Sequence, residues 1–417
     1  MSNFTTYSYE TKREIFKFCA PFFSVLRKPA AKFCSDMIFG ILSSQSILIS
    51  EIGRGLHESI DIRHTHKRLE YQLSKFTIDD EKVFQAIYDY QVKRFLNEHV
   101  VLVVDDSEIA KNDGTKFEHI GRVRDASADK IRDGYHMCEI VLLTGDDHHP
   151  VKVYSHIYSE KEPGFISANE ETKKGLLHCI ELLDGKEAVF VMDRGYDNIE
   201  WYRFFKMHNQ HFVIRQKSTR NVIYKKKTIN IAKLTRMRKG KVRFDTSVKG
   251  RKVTLYCSHV NIALPAMKGT KLNMVFTNDY AKDGMMLLTD IDIKGKAELL
   301  YIMKLYALRW KIEEKFRFEK GIYDLEYIRV RSLRRINMMN MFMNYAILIL
   351  ANLIREKENR ELSKKILKSA KGIKKNIRNF YYRMANGIKE ILAHDTKGMK
   401  VYYRIQHRRI KQMQLAI

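Results

Sequence analysis

Three textures of hydrophobic spacing divide the chain. Up to about residue 95, apolar residues recur at helical spacing, with Ile47, Ile49, Ile52 and Leu56 as the clearest series. From His99 the texture changes. His99-Val-Val-Leu-Val-Val-Asp105 is an unbroken apolar run that ends in an acid, the pattern of a strand buried on both faces. His136 to Leu143 and Val151 to Tyr158 predict two more strands, and TGDDHHP between them predicts a hairpin turn. Glu170 to Leu183 reads as a helix, and Ala188 to Met192 as a buried strand running into Asp193. Asn198 to Met207 then predicts a helix, and Phe212 to Arg215 a short strand. Between about 217 and 295 the pattern becomes short strands joined by basic turns, as in KVRFDTSVKGRKVTLYCSHV. Helical spacing returns with LYALRWKIEEKFRFEK and continues to the end of the sequence.

This order predicts an α/β fold, a mixed sheet with flanking helices. Residues 1–95 form a helical region, and 96–216 the first part of the core. A β-rich insertion covers 217–295, a helix that completes the core covers 296–325, and a basic helical region covers 326–417. The longest apolar run, Ile336 to Ile354, is interrupted by Asn337, Asn340, Asn344 and Asn352. That is too polar for a lipid-facing span, so a buried helix is expected. The five cysteines are widely spaced with no Cys-x-x-Cys, which excludes a disulfide framework or zinc ribbon and points to a reducing cytoplasm.

Charge narrows the function. Lys and Arg outnumber Asp and Glu by 76 to 49, a net +27. An excess of this size favours a polyanionic partner, nucleic acid above all, because neutralising phosphates releases counterions. A small-molecule phosphatase needs no such surface. The insertion carries Lys225, Lys226, Lys227, Arg236, Arg238, Lys239 and Lys241. In the N-terminal region His64, His66, Lys67, Arg68 and Lys75 surround an amphipathic segment that reads either as a DNA-backbone contact or as a solvated face.

Tyr306, Arg309, Glu313 and Lys320 are separated by two, three and six residues. At ~100° per residue they share one stripe of a helix, beside the apolar stripe of Leu305, Leu308, Ile312 and Phe316. A phenol, two cations and a carboxylate on one stripe suit a site that holds a metal ion together with a phosphate. An ordinary Arg309–Glu313 pair at i,i+4 is the alternative. Asp105 and Asp193 each follow a buried strand, and neighbouring strands lie under ~5 Å apart. With Glu313 from a helix on the sheet they make an all-oxygen donor set that suits Mg²⁺ or Mn²⁺ and disfavours zinc. Asp106 competes with Asp105, since in a strand only one of two neighbours faces a site. Asp105 is preferred because Ser107 then lies on the same face as a supporting donor.

These residues resemble the DDE transposases of the insertion sequence 4 family. Asp105-Asp106-Ser107 is similar to that family's Asp-x-Ser/Thr strand end, and Asp193-Arg194-Gly195-Tyr196 to its Asp-Arg-Gly-Tyr block. Tyr306, Arg309, Glu313 and Lys320 are similar to its Y-(2)-R-(3)-E-(6)-K signature. The resemblance runs from about residue 99 to 350 and implies an RNase H-like catalytic core. It implies two metal ions held by Asp105, Asp193 and Glu313, and cut-and-paste movement of an element by strand cleavage and strand transfer. The partners would be terminal inverted repeats and target DNA, held by a homodimer, with no membrane involved. Arg309, Lys320 and Tyr306 would meet the phosphates at the cut, and Arg194 would lie beside the metals; Arg215 and Lys217 are further candidate DNA contacts. Trp310 would stack a flipped base in a hairpin intermediate or else pack against the insertion. The same residues would also serve a nuclease without strand transfer, and a catalytically inactive DNA-binding derivative would keep the charge but not the chemistry.

Overall fold

A computed structural model describes residues 2–111, 116–125, 129–145, 148–248, 251–277, 284–355, 360–371, 380–395, 398–399 and 403. Five helices come first: α1 (Ser2–Val25), α2 (Lys28–Ser44), α3 (Ile49–Gly55), α4 (Ile62–Lys75) and α5 (Ile78–Lys93). The sheet then begins with β1 (Val100–Lys111), β2 (Gly121–Asp125), β3 (Lys130–Thr144) and β4 (His149–Tyr158). Next come α6 (Ala168–Leu183), β5 (Ala188–Met192), α7 (Ile199–Met207) and β6 (His211–Arg215). The insertion contributes β7 (Asn221–Tyr224), β8 (Lys227–Asn230), α8 (Ile231–Arg236), β9 (Val242–Val248), β10 (Arg251–Ile262), β11 (Leu272–Thr277) and β12 (Met285–Thr289). The chain continues with α9 (Lys296–Ala307), α10 (Trp310–Ile322), α11 (Leu333–Arg355), α12 (Arg360–Ser369) and α13 (Phe380–Leu392).

The mixed sheet runs β2-β3-β1-β5-β6-β12-β11-β10-β9, with β4 also paired to β3. β1, β5 and β6 are parallel neighbours, and β3 is antiparallel to β1. The expected strands and β-rich insertion are present, as are the expected helices apart from the one around Arg309, and three features go beyond the reading of the sequence. β12 pairs antiparallel with β6, so the insertion extends the core sheet. β1 also continues six residues past Asp105, because β3 pairs with it as far as Lys111↔Asp133 after β5 has ended. Strand β2, GRVRD, escaped the sequence reading because it is short and mostly polar. Where β1, β2 and β3 meet, only glycine fits at position 134: a Cβ there would lie 2.5 Å from the Ile109 carbonyl oxygen.

Helix α11 is long and apolar enough to cross a membrane, yet 83% of its apolar window is buried inside the protein. One of its asparagines has a clear role at the sheet. Asn337 Oδ1 accepts from the Ile157 backbone N–H at 2.9 Å and its Nδ2 donates to the Ile157 carbonyl at 2.8 Å. The edge of β4 is thereby satisfied by a side chain, which closes it to further strand pairing. Around α11 the terminal helices share one core, with Phe22, Phe84 and Tyr345 in mutual ring contact. All five cysteines are buried thiols. The basic run at 402–411 lies outside the described residues apart from Tyr403.

Asn337→Leu leaves both backbone groups of the buried Ile157 unpaired. The expected loss is about 2 kcal/mol or more of unfolding free energy, read from denaturant melts; an unchanged midpoint would refute this role.

Candidate active site

The pairing of β1 with β5 ends at Val104↔Met192. Asp105, still in β1, and Asp193, just past the end of β5, are the next residues, so the register delivers them side by side. Parallel neighbours lie about 4.8 Å apart. Asp193 caps the turn Arg194–Tyr196, accepting the Gly195 N–H through Oδ1 at 2.5 Å. The capping role open to a lone Asp is therefore filled, and the same residue also stands beside Asp105.

Asp105 and Asp106 diverge, as alternation along a strand requires. Asp105 Oδ2 accepts from Arg309 Nη1 at 2.9 Å. Asp106 Oδ2 accepts from the buried Tyr196 hydroxyl at 2.9 Å, on the side of Cys138. Tyr196 thus ties the turn after β5 to β1. Ser107 is buried two residues beyond Asp105. Asp197 fastens the far end of the same turn, accepting from the Tyr202 hydroxyl at 2.6 Å and from the Lys217 backbone at 2.8 Å.

The expected single helix of Tyr306, Arg309, Glu313 and Lys320 is two helices. α9 ends at Ala307 and α10 begins at Trp310. Between them, Arg309 N–H bonds to the Tyr306 carbonyl and Lys311 N–H to that of Leu308, both i→i−3. Such a turn holds three residues rather than 3.6, so a stripe computed at one constant angle is broken there. Arg309 sits at the joint. Its guanidinium bridges Asp105 and Glu313, with Nη2 donating to Glu313 Oε1 at 2.5 Å. The i,i+4 pair is real, and it is one half of a bridge from α10 to the sheet.

Tyr306 is buried, with its phenol near Arg309, Arg215 and Asp193. Burial pushes its pKa up, and the two arginines oppose that shift. Trp310 is half-buried, with the Arg309 guanidinium 5.8 Å from its ring centre. Arg194 is exposed. Lys320 does not point to open solvent: its ammonium donates to the Glu108 carbonyl of β1 at 2.5 Å and pairs with Glu326 at 3.0 Å. A second lysine, missed in the sequence, reinforces this seam. Lys111, buried at the end of β1, donates to the Glu326 and Ile328 carbonyls at 2.8 and 3.1 Å. In α4, Arg68 is tied to Asp36 and Glu58, whereas His64, Lys67 and Lys75 are exposed.

The electrostatics record the crowding of acids. Burial pushes the Asp105 carboxyl up to about 7; Arg309 opposes this, and Asp193, Asp106 and Glu313 add repulsion. Burial also raises Asp106 to about 6, with Tyr196 opposing. Arg309 is held above its usual range: burial disfavours its charge, but Asp105, Tyr306 and Glu313 outweigh that. Among the described residues no three of His, Cys, Asp or Glu are grouped to hold a metal as they stand. The donors nevertheless fit a hard divalent cation in kind. They are carboxylates, they repel one another, and a guanidinium stands in as the cation between two of them.

The strand order, with β3 antiparallel and β5 and β6 parallel to β1, is that of an RNase H-like core. The family model described as a transposase DDE domain matches residues 97–350, more than half of the chain, and the protein belongs to that family of metal-dependent, DNA-cleaving enzymes. Among curated proteins nothing matches the chain.

In the metal-free protein Asp105 is expected to titrate near pH 7, against about 3.9 when unfolded. The native state then keeps a proton that the unfolded chain releases, so this group lowers stability as pH rises from about 4 to 7. Arg309→Ala moves the midpoint higher. Carbon-detected NMR titration checks both; a midpoint below 5, or a downward shift in Arg309→Ala, contradicts the assignment.

Proposed function

We propose that this transposase is of the insertion sequence 4 type and moves its element by cutting and rejoining DNA ends through two-metal-ion phosphoryl transfer. Asp105, Asp193 and Glu313 are the residues that would hold Mg²⁺ or Mn²⁺. The observation that carries this reading is the register: one acid follows each end of the Val104↔Met192 pair, and Arg309 draws the third toward them. When bound, divalent ions supply Lewis-acid polarisation of the phosphoryl oxygens and activation of the attacking oxygen.

The protein's own residues do the rest. Arg309 neutralises the carboxylates before substrate arrives. Its guanidinium has the fork geometry to exchange a carboxylate for a phosphate. Leaving the acids, it would expose Asp105 and Glu313 as donors and place its charge on the DNA backbone beside the cut. Tyr306, next to Arg309 and Arg215, offers a phenolic donor to a phosphate oxygen. Trp310 presents a ring at the same mouth for an unstacked base. Arg194, at the outer rim, meets the backbone further from the cut. Lys320 acts from its present place as an anchor of α10 on β1, in place of the phosphate contact expected from the signature. Asp106 holds the turn after β5 through Tyr196. The basic insertion, continuous with the core sheet, widens the cationic surface along which the duplex lies. Two copies, each holding one terminal repeat, complete the working assembly on DNA in the cytoplasm.

Asp105→Asn, Asp193→Asn and Glu313→Gln are each expected to lower Mg²⁺-dependent cleavage of a duplex bearing the element's end by at least about 100-fold while retaining DNA binding. EDTA should abolish cleavage in the unaltered protein. Joining of cut ends to a target plasmid separates transposition from simple nuclease action. Full cleavage by any of the three variants would overturn the assignment of that acid.

A further inference from the structure

Beneath the acids lies a second charged cluster, and it is fully enclosed. Glu139 of β3, Lys152 of β4, and Lys315 and Glu319 of α10 are each no more than 2% exposed. Lys315 Nζ reaches Glu139 Oε2 at 3.0 Å and Lys152 Nζ reaches Glu319 Oε1 at 3.0 Å. Lys152 also pairs with Glu139, and Lys315 with Glu319, closing a ring of alternating sign with no net charge. Ser155 donates to Glu139 at 3.2 Å and Asn340 of α11 to Ser155 at 2.8 Å, which links the ring to the core helix.

The placement bears on the acids above. Glu139 is the direct register partner of Asp105 in the β1–β3 ladder, so the two carboxylates leave the sheet on one face. Lys315 and Glu319 stand two and six residues after Glu313 on α10. One interaction set therefore grips the strand beside the first acid and the helix that carries the third. Four buried charges are a poor source of stability, since desolvation offsets much of their attraction. What they do provide is register. A helix slid or rotated by one residue would strand an unpaired charge in the interior, whereas an apolar contact tolerates small shifts.

We infer that Glu139, Lys152, Lys315 and Glu319 are positioning residues for the reaction, locking α10 on the sheet so that Glu313 meets Asp105 and Asp193 at metal-binding distance. This rests on the proposed carboxylate site, and the test separates the two.

Full-length protein is titrated with Mn²⁺, and free Mn²⁺ is counted by electron paramagnetic resonance, a readout independent of cleavage. Two neutral pair exchanges, Lys315→Met with Glu319→Gln and Glu139→Gln with Lys152→Met, each remove one positive and one negative charge and leave an intact pair. Glu313→Gln is the control. In pair variants that melt cooperatively, Mn²⁺ affinity is expected to fall about 10- to 100-fold, the range for groups that orient metal ligands. Metal-free DNA binding should be retained. Unaltered Mn²⁺ affinity in a folded pair variant, with Glu313→Gln impaired, overturns the inference alone. Unaltered affinity in Glu313→Gln itself overturns the underlying site. Failure of both pair variants to fold overturns the inference alone, because the ring would then serve the whole fold rather than the placement of Glu313.

Discussion

The parallel pairing of β1 with β5 is the constraint on which the rest depends. Both strands are apolar up to the paired Val104 and Met192, and each turns acidic at the next residue. Burial on both faces fixes that register, since a slip of one residue would carry Asp105 or Asp193 into the ladder among buried side chains. The two carboxylates are thus forced together by the packing of residues that carry no charge. Burial first, and the neighbouring acids after it, push the Asp105 carboxyl up, and Arg309 opposes both.

Like charges brought this close need a counter-charge, and in this protein Arg309 supplies it, held by Asp105 on the sheet and Glu313 on α10. The helix joint at Leu308–Arg309 gives the side chain its place between them. Lys320 and Lys111 hold the seam beyond, and the buried ring of Glu139, Lys152, Lys315 and Glu319 holds it below. The acids are only partly exposed, on a sheet whose apolar packing holds them in place, with Arg309 bridging two of them.

Much of this was legible in the sequence. The apolar runs of β1 and β5 predicted the core, and the acids after them, with the spacing around Glu313, named the carboxylates of the proposed site. Alternation separates Asp105 from Asp106, with Asp105 preferred for its Ser107 neighbour, and in the fold Asp106 turns to the Tyr196 hydroxyl. Other features depended on contacts that no local pattern carries. The break between α9 and α10 arises from i→i−3 bonding within an otherwise helical stretch. The joining of the insertion to β6 is a long-range pairing. The charged ring left a faint signal, in Glu139 and Lys152 within apolar strands and Lys315 and Glu319 between Ile312 and Ile322. Charges in such places ask for buried partners, but the sequence does not say which.

The most direct test is anomalous diffraction from crystals of the full chain with Mn²⁺ and a duplex bearing the element's end. The expected result is manganese within about 2.0–2.3 Å of oxygens of Asp105, Asp193 and Glu313, with Arg309 turned from them to a phosphate. Manganese bound elsewhere, with the Arg309 bridge intact over an occupied DNA site, would contradict the account.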